Sequence, residues 1–229
     1  MLYVYALTDA PERPLPDCRG HRGARLRVHA HDGVAAVCTR HGHIDPRPDE
    51  AALWRHERVT EALMADRAVL PVRFGTTVAD EDALTAMLAE RHAEFRAGLE
   101  RVRGRVEIGV RALWTPPGSA PRPGAAAGVE AAERPGHAYL HARLDERTRA
   151  ERLADALHGA LAPRAAAARR RVLVTPRMLL SAAYLIERDG VEEFLAAVDA
   201  VAGEHPEVDL LCTGPWPAHS FAAVDGERR

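Results

Sequence analysis

Histidines carry most of the chemistry this sequence could offer. His29 and His31 stand two apart, as do His41 and His43. On a strand, such neighbours share a face, so each pair could grip one metal ion. No cysteine or carboxylate at ligand spacing joins either pair, and solvated histidines are the better reading. His137 and His141 are four apart on an expected helix, a spacing that also arises by chance in a histidine-rich chain. His56-Glu57 begins like the two-histidine motif of a zinc protease. Position 60 is Thr, however, and that zinc site needs both imidazoles on one helix face. Gly75-Thr76-Thr77 follows an expected strand but lacks the lysine of a phosphate-binding loop. No GxSxG, GxGxxG or Walker A pattern is present. The sequence therefore assigns no catalytic residue, no cofactor-binding residue and no metal ligand, and the expectation is a protein that is not an enzyme.

Three polar residues fall where burial is expected. His56 sits on the apolar side of its helix, where a lone histidine is more often a hydrogen-bonded core residue than a catalyst. Arg73 and Glu107 both lie in segments that read as buried strands. A buried charge is costly unless paired, so the two are expected to pair with each other as architecture.

The elements that position these residues can be read along the chain. Tyr3 to Thr8 is an expected strand, followed by a turn-rich stretch from Pro11 to Gly23. Two apolar runs flank Asp32-Gly33, the dipeptide that most strongly signals a tight hairpin. Glu50 to Asp66 reads as a helix with Leu53, His56, Thr60 and Leu63 on one face. Val69 to Phe74 reads as a strand closed by Gly75, at an edge or bulge because Pro71 offers no N–H. One helix is expected from a cap at Asp80 to Gly104, then a strand from Val106 to Trp114. Thr115 to Pro135 is rich in Pro, Gly and Ala and reads as a linker. A long helix opens near Gly136 with Leu140, Leu144, Leu153, Leu157 and Leu161 at helical spacing, limited by Pro163. Strands at Arg171–Thr175 and Met178–Ile186 follow. Asp189 to Glu192 has the form of a capping box opening another helix. A strand at Val208–Cys212 and a last one at Ser220–Val224 complete the reading. The expected architecture is α+β, with an N-terminal domain over 1–114, a linker over 115–135 and a C-terminal domain over 136–229. Each domain is expected to set its helices on one side of a mainly antiparallel sheet.

Composition narrows the functional classes. The 229 residues are 47% hydrophobic and 28% charged, a globular balance. Net charge is −2, so no basic excess exists to bind a phosphate backbone, and no nucleic-acid partner is expected. Every basic residue other than histidine is Arg, and Lys, Asn and Gln are absent. The three cysteines, Cys18, Cys38 and Cys212, are scattered and suggest neither a disulfide framework nor a zinc site. No apolar run approaches the ~20 residues of a spanning helix, so no membrane association is expected.

Several segments together resemble the gas vesicle protein F/L family (GvpF/GvpL). They are Tyr3-Val4-Tyr5, His56-Glu57, Val69-Leu70-Pro71-Val72-Arg73-Phe74-Gly75-Thr76 and Gly104-Arg105-Val106-Glu107. Further along come Gly136-His137-Ala138-Tyr139-Leu140, Ala182-Ala183-Tyr184-Leu185-Ile186, and Gly214-Pro215-Trp216-Pro217 followed by Ser220-Phe221. The resemblance runs over almost the whole chain. It implies a cytoplasmic protein that builds gas vesicles, with a ferredoxin-like C-terminal domain and no cofactor. It also implies the hydrophobic shell protein GvpA and other accessory gas vesicle proteins as partners. The motif residues read as structural. Pro71 and Gly75 fix the backbone, Phe74 fills a core, and Trp216 between prolines makes a rigid turn with an apolar anchor.

Two readings compete. One is an assembly or minor structural protein of gas vesicles, with the long helix and the adjoining sheet edge as its docking surface. The alternative is a small-molecule binder or enzyme with a pocket between the halves, near His56, Arg73 and Glu107.

Overall fold

The computed structural model describes residues 1–43, 49–114, 136–172 and 178–222. Of residues 114, 136–140, 142–143, 146 and 172 it describes the backbone. The expected linker at 115–135 lies outside the described residues. The chain forms two compact units, Met1–Glu107 with Pro215–Arg229, and Ile108–Gly214. These bounds differ from the expected 1–114 and 136–229, because the last strand of the first segment and the final motif each belong with the other half.

The first unit is built on β1 (Leu2–Thr8), β2 (Arg27–His31) and β3 (Val34–Arg40). The β2–β3 turn is the hairpin that Asp32-Gly33 announced. Asp32 has φ 46° and Gly33 φ 78°, the two left-handed residues that a type I′ turn requires. Helix α1 (Glu50–Met64) starts at Asp49, whose carboxylate accepts from the Ala51 amide at 2.7 Å. It buries Ala52, His56, Val59, Thr60 and Leu63. Leu53, expected on that face, is exposed. Strand β4 (Val69–Pro71) stops before Phe74, and β5 (Thr77–Val78) follows. The sheet order is β2-β3-β1-β4, with β5 also pairing β1, and each of these pairings is antiparallel. β4 is an end strand, where a proline is tolerated.

The expected single helix from Asp80 to Gly104 is two, α2 (Glu81–Glu90) and α3 (His92–Val102). They break at Arg91, which leaves helical geometry at φ −105°, ψ 19°. No proline or glycine marks this point. The two pieces pack on different strands, α2 on β2 and α3 on β4, β1 and β3. Every residue of β1 is buried, with α1 and α3 both against it. The first sheet is therefore covered on both faces rather than one, as its near-continuous apolar strand allows.

The second unit contains β6 (Arg105–Trp114) from Ile108 on, α4 (Gly136–Leu161), β7 (Ala167–Val172), β8 (Met178–Glu187), α5 (Val191–Glu204) and β9 (Val208–Trp216) up to Gly214. Its four-stranded sheet has the order β7-β8-β6-β9. The elements succeed one another as β-α-β-β-α-β. Leu153, Leu157 and Leu161 of α4 pack with Val110, Tyr184 and Phe194 in one core. Leu144, expected on that stripe, is 60% exposed. The expected capping box does not form: Gly190 is the N-cap of α5 and makes no side-chain bond, because Arg188–Gly190 is already a 3-10 turn. The expected last strand is instead a short helix, α6 (His219–Ala222).

Candidate functional site

The motif residues of the first unit converge on two linked sets of hydrogen bonds. The first is centred on His56, which α1 turns inward until it is 1% exposed. Its Nε2 lies 3.1 Å from the Val72 carbonyl, and its Nδ1 lies 3.1 Å from the Tyr3 hydroxyl. A carbonyl can only accept, so Nε2 carries the proton and Nδ1 accepts from Tyr3. The Tyr3 oxygen in turn accepts from the Gly75 amide at 3.1 Å. Gly75 reaches that position with φ 85°, a conformation that favours glycine. Phe74 closes the set edge-on, its ring 5.7 Å from His56.

This arrangement suits a brace rather than a base. Both imidazole nitrogens are occupied, and the Val72 carbonyl, which can only accept, fixes the tautomer. Burial lowers the His56 pKa from its ordinary value and pushes the Tyr3 hydroxyl up to about 12. Both groups are therefore neutral near pH 7. The brace ties β1, α1 and the Val72–Gly75 segment together, the three pieces that the sequence motifs mark.

The second set holds the end of the chain. Glu107 is 8% exposed and accepts two hydrogen bonds from Ser220, from its amide and its hydroxyl, each at 2.7 Å. One residue earlier, His219 Nε2 lies 3.1 Å from the Glu57 carboxylate. Burial is the largest single influence on His219 and works against a charged imidazole, but the bond to Glu57 and the charges of Glu57, Glu107 and Glu61 together outweigh it and lift the pKa above the ordinary value. The same bond holds Glu57 below the usual carboxylate range, against opposing burial. Ala218 and Phe221 are each 2% exposed, so the segment is anchored by apolar as well as polar contacts. Helix α6 packs against β4 and α3.

The expected Arg73–Glu107 pair is replaced by this clasp. Arg73 is exposed, on the short turn where its carbonyl accepts from the Thr76 hydroxyl at 2.6 Å. Strand β4 ends at Pro71, so Arg73 never enters the sheet that was expected to bury it. Two surface cavities lie elsewhere. One of about 280 Å³ is lined by charged residues including Asp9, Arg96 and Arg103, and one of about 310 Å³ lies along Leu15–Leu26. Neither is lined by His56, Arg73 or Glu107. Among the described residues no three His, Cys, Asp or Glu side chains group so as to hold a metal ion, and no helix is long and apolar enough to cross a membrane.

The family model for gas vesicle synthesis protein GvpL/GvpF matches residues 1–223. The chain belongs to that family. It is 32% identical to gas vesicle protein L of Streptomyces sp. (strain CB03234), over 98% of this chain and 94% of that one. It is 27% identical to gas vesicle protein F2 of Halobacterium salinarum, over 97% and 92% of the two chains. Its fold matches the crystal structure of GvpF from Anabaena sp. PCC7120 with a TM-score of 0.81 at 20% identity, covering 100% of this chain and 98% of that one. GvpF from Microcystis aeruginosa follows, with a TM-score of 0.75 at 19% identity over 97% and 98% of the chains. Family membership gives the protein a role connected with gas vesicles.

The remaining family-motif residues lie apart from the brace. Tyr139 and Leu140 are on the first turns of α4. Tyr184 is fully buried in the second unit, its hydroxyl 3.0 Å from His158 Nδ1. Gly214, Pro215 and Trp216 belong to β9 rather than to a turn, and Trp216 is 40% exposed rather than an anchor. Pro217 is buried, and its carbonyl accepts from the His219 amide at 2.7 Å. Sequence reasoning did not assign roles to Tyr3, Glu57, His219 and Ser220. Glu107 and Ser220 are 113 positions apart, and no local pattern links such a pair. The one available signal was that all four lie inside or beside the motif segments.

Proposed function

We propose that this protein assists gas vesicle formation by holding the hydrophobic shell protein GvpA and meeting other accessory gas vesicle proteins, without catalysing a reaction. Its place of action on this reading is the gas vesicle and the surrounding cytoplasm. The observation that supports it is the exposure of the described side chains in the first half of α4. The described side chains at 141, 144, 145 and 147–149 are all exposed, and the first buried one is Ala150. Leu144 stands 60% exposed on this stretch. A helix that extends beyond its own core presents a face for a partner groove or helix. The His56 brace supports a structural rather than catalytic reading of the motif residues, since its imidazole has no free nitrogen.

Co-expression with the shell protein followed by affinity capture tests the proposal. The wild-type chain retains the shell protein. Leu144→Glu, at a site that supports no core, lowers retention. Covering the exposed part of one leucine contributes about 1–2 kcal/mol, roughly a five- to thirtyfold change in affinity. Equal retention by the variant refutes docking through α4, and no retention by the wild type refutes shell-protein holding.

A further inference from the structure

One histidine of the first unit lacks the bonds that hold His56. It sits on the segment that covers Tyr3 and Tyr5 of β1. Arg67 anchors the start of this segment, donating to the Arg13 and Pro14 carbonyls at 3.4 and 2.7 Å, and β2 takes over at Arg27. Between these ends several backbone bonds close within the segment. Gly20 donates to Ala24 at 2.9 Å, Ala24 to His21 at 3.1 Å, and Arg19 bridges to Arg25. Leu15, Cys18 and Leu26 pack against the core that holds Tyr3 and Tyr5. The polar attachment to β1 runs through His21. Its amide donates to the Tyr5 hydroxyl at 2.6 Å, and its ring lies parallel to that of Tyr3, with centroids 5.4 Å apart. Both ring nitrogens are shielded from solvent, and neither has a hydrogen-bond partner among the described residues.

We propose that His21 is an acid-sensitive latch: neutral, it holds residues 15–26 on β1, and on taking up a proton it releases them and uncovers Tyr3 and Tyr5. A neutral imidazole leaves one N–H unmatched at this place, and an imidazolium leaves two. The surroundings also oppose the charge. The His41 ring stands at a steep angle to His21, 5.2 Å away. Its Nε2 lies 2.8 Å from Thr39 Oγ1, which in turn lies 2.9 Å from the Tyr5 hydroxyl. Arg22 on the same turn and Arg55 on α1 bring positive charge, and Asp49 at the head of α1 is the acid that faces them. Arg22 and the Met1 amine act in the same sense on His41. The Tyr3 face attracts a cation, but desolvation is the largest influence on His21 and lowers its pKa, with the two arginines adding to it. The latched form therefore binds the proton less readily than the released form. Latching is complete above the unfolded imidazole value and declines as pH falls below it. Tyr3 and Tyr5, 2% and 0% exposed when latched, then meet solvent.

Amide exchange of the full chain, followed by NMR across the imidazole range and corrected for the intrinsic rate, tests the latch. The His21 amide reports release, since its partner is the Tyr5 hydroxyl. Its protection should fall by up to about tenfold per pH unit for one proton taken up on opening. The Val72 amide, which donates to the Tyr5 carbonyl at 3.1 Å, reports the sheet and the His56 brace and should change less. His21→Phe keeps a ring on Tyr3 without a titrating group and should flatten the profile at position 21. The His21 ring resonances of the wild type, which need no variant, should titrate below the ordinary imidazole range. A flat wild-type profile overturns the proposal, as does a pH dependence that persists in His21→Phe. An equal fall at Val72 means that the sheet opens as a whole and overturns it too. So does a His21 ring that titrates at or above the ordinary value.

Discussion

Glu107→Gln should loosen the end of the chain by about 3 kcal/mol. The carboxylate accepts from the Ser220 amide and hydroxyl, each at 2.7 Å, while only 8% exposed. Hydrogen bonds to a charged group contribute about 1.5–3 kcal/mol each. A glutamine keeps the shape, its oxygen accepting from the Ser220 amide and its NH₂ donating to the Ser220 hydroxyl once that hydroxyl turns to accept. Both charge-assisted bonds become neutral ones, each weaker by about 1–1.5 kcal/mol. Ser220→Ala removes only the hydroxyl bond and should cost about 1.5–2 kcal/mol. The two changes share a partner, so the double variant should fall short of their sum by about 1 kcal/mol or more. Amide hydrogen exchange of Ser220 and Phe221 in the full chain reads the local opening directly, without assuming that both units unfold together. The expected loss of protection for Glu107→Gln is roughly a hundredfold. Arg73→Leu serves as the contrast. Arg73 is exposed, and surface changes of this kind stay within about 0.5 kcal/mol. Unchanged exchange in Glu107→Gln would refute the clasp. A large loss in Arg73→Leu with none in Ser220→Ala would restore the pairing expected from sequence.

Two further outcomes follow from the same geometry. The His219–Glu57 contact should be strongest between the ordinary carboxylate and imidazole ranges. His219 has a raised pKa, so its contribution is complete below the unfolded imidazole value and is lost as pH rises through the folded one. Glu57 has a lowered pKa, so its contribution is complete above the unfolded carboxylate value and is lost as pH falls through the folded one. His56 acts oppositely to His219: its lowered pKa means that stability declines as pH falls below the unfolded imidazole value. Exchange at Phe221 should therefore quicken as pH rises past the folded His219 pKa, after correction for the intrinsic rate, and His219→Ala should flatten that dependence. A flat wild-type profile counts against the ion pair. Gly20→Ala should destabilise the first unit by about 1–3 kcal/mol through overpacking, since a Cβ there would stand 2.7 Å from Thr39 Cγ2 and closer still to the Tyr5 hydroxyl. Denaturant unfolding followed by circular dichroism measures it, and a neutral substitution would show that the Gly20 loop yields freely.

Local signals made much of the fold legible. Asp32-Gly33 specified its hairpin because only a turn with two left-handed residues joins such short-connected strands with the right twist. Asp80, read as a cap, begins its helix by accepting a backbone amide. The inward placement of His56 followed from helical period and its hydrogen bonding from the cost of burying a bare imidazole. The break at Arg91 was not legible, since it answers to the different strands beneath α2 and α3 rather than to any helix-breaking residue.

The sequence by itself determined most of the helices and strands, the α+β class, and the family to which the motifs point. These depend on periodicity, turn chemistry and caps, all of which act over a few residues. Only the tertiary structure decided what the polar motif residues do. Glu107 found Ser220 instead of Arg73, Glu57 found His219, and Tyr3 linked Gly75 to His56. A buried charge or imidazole requires a partner, but the requirement does not name one. The partner is chosen by whichever donor the folded backbone carries to within about 3 Å, and that meeting depends on the whole path of the chain.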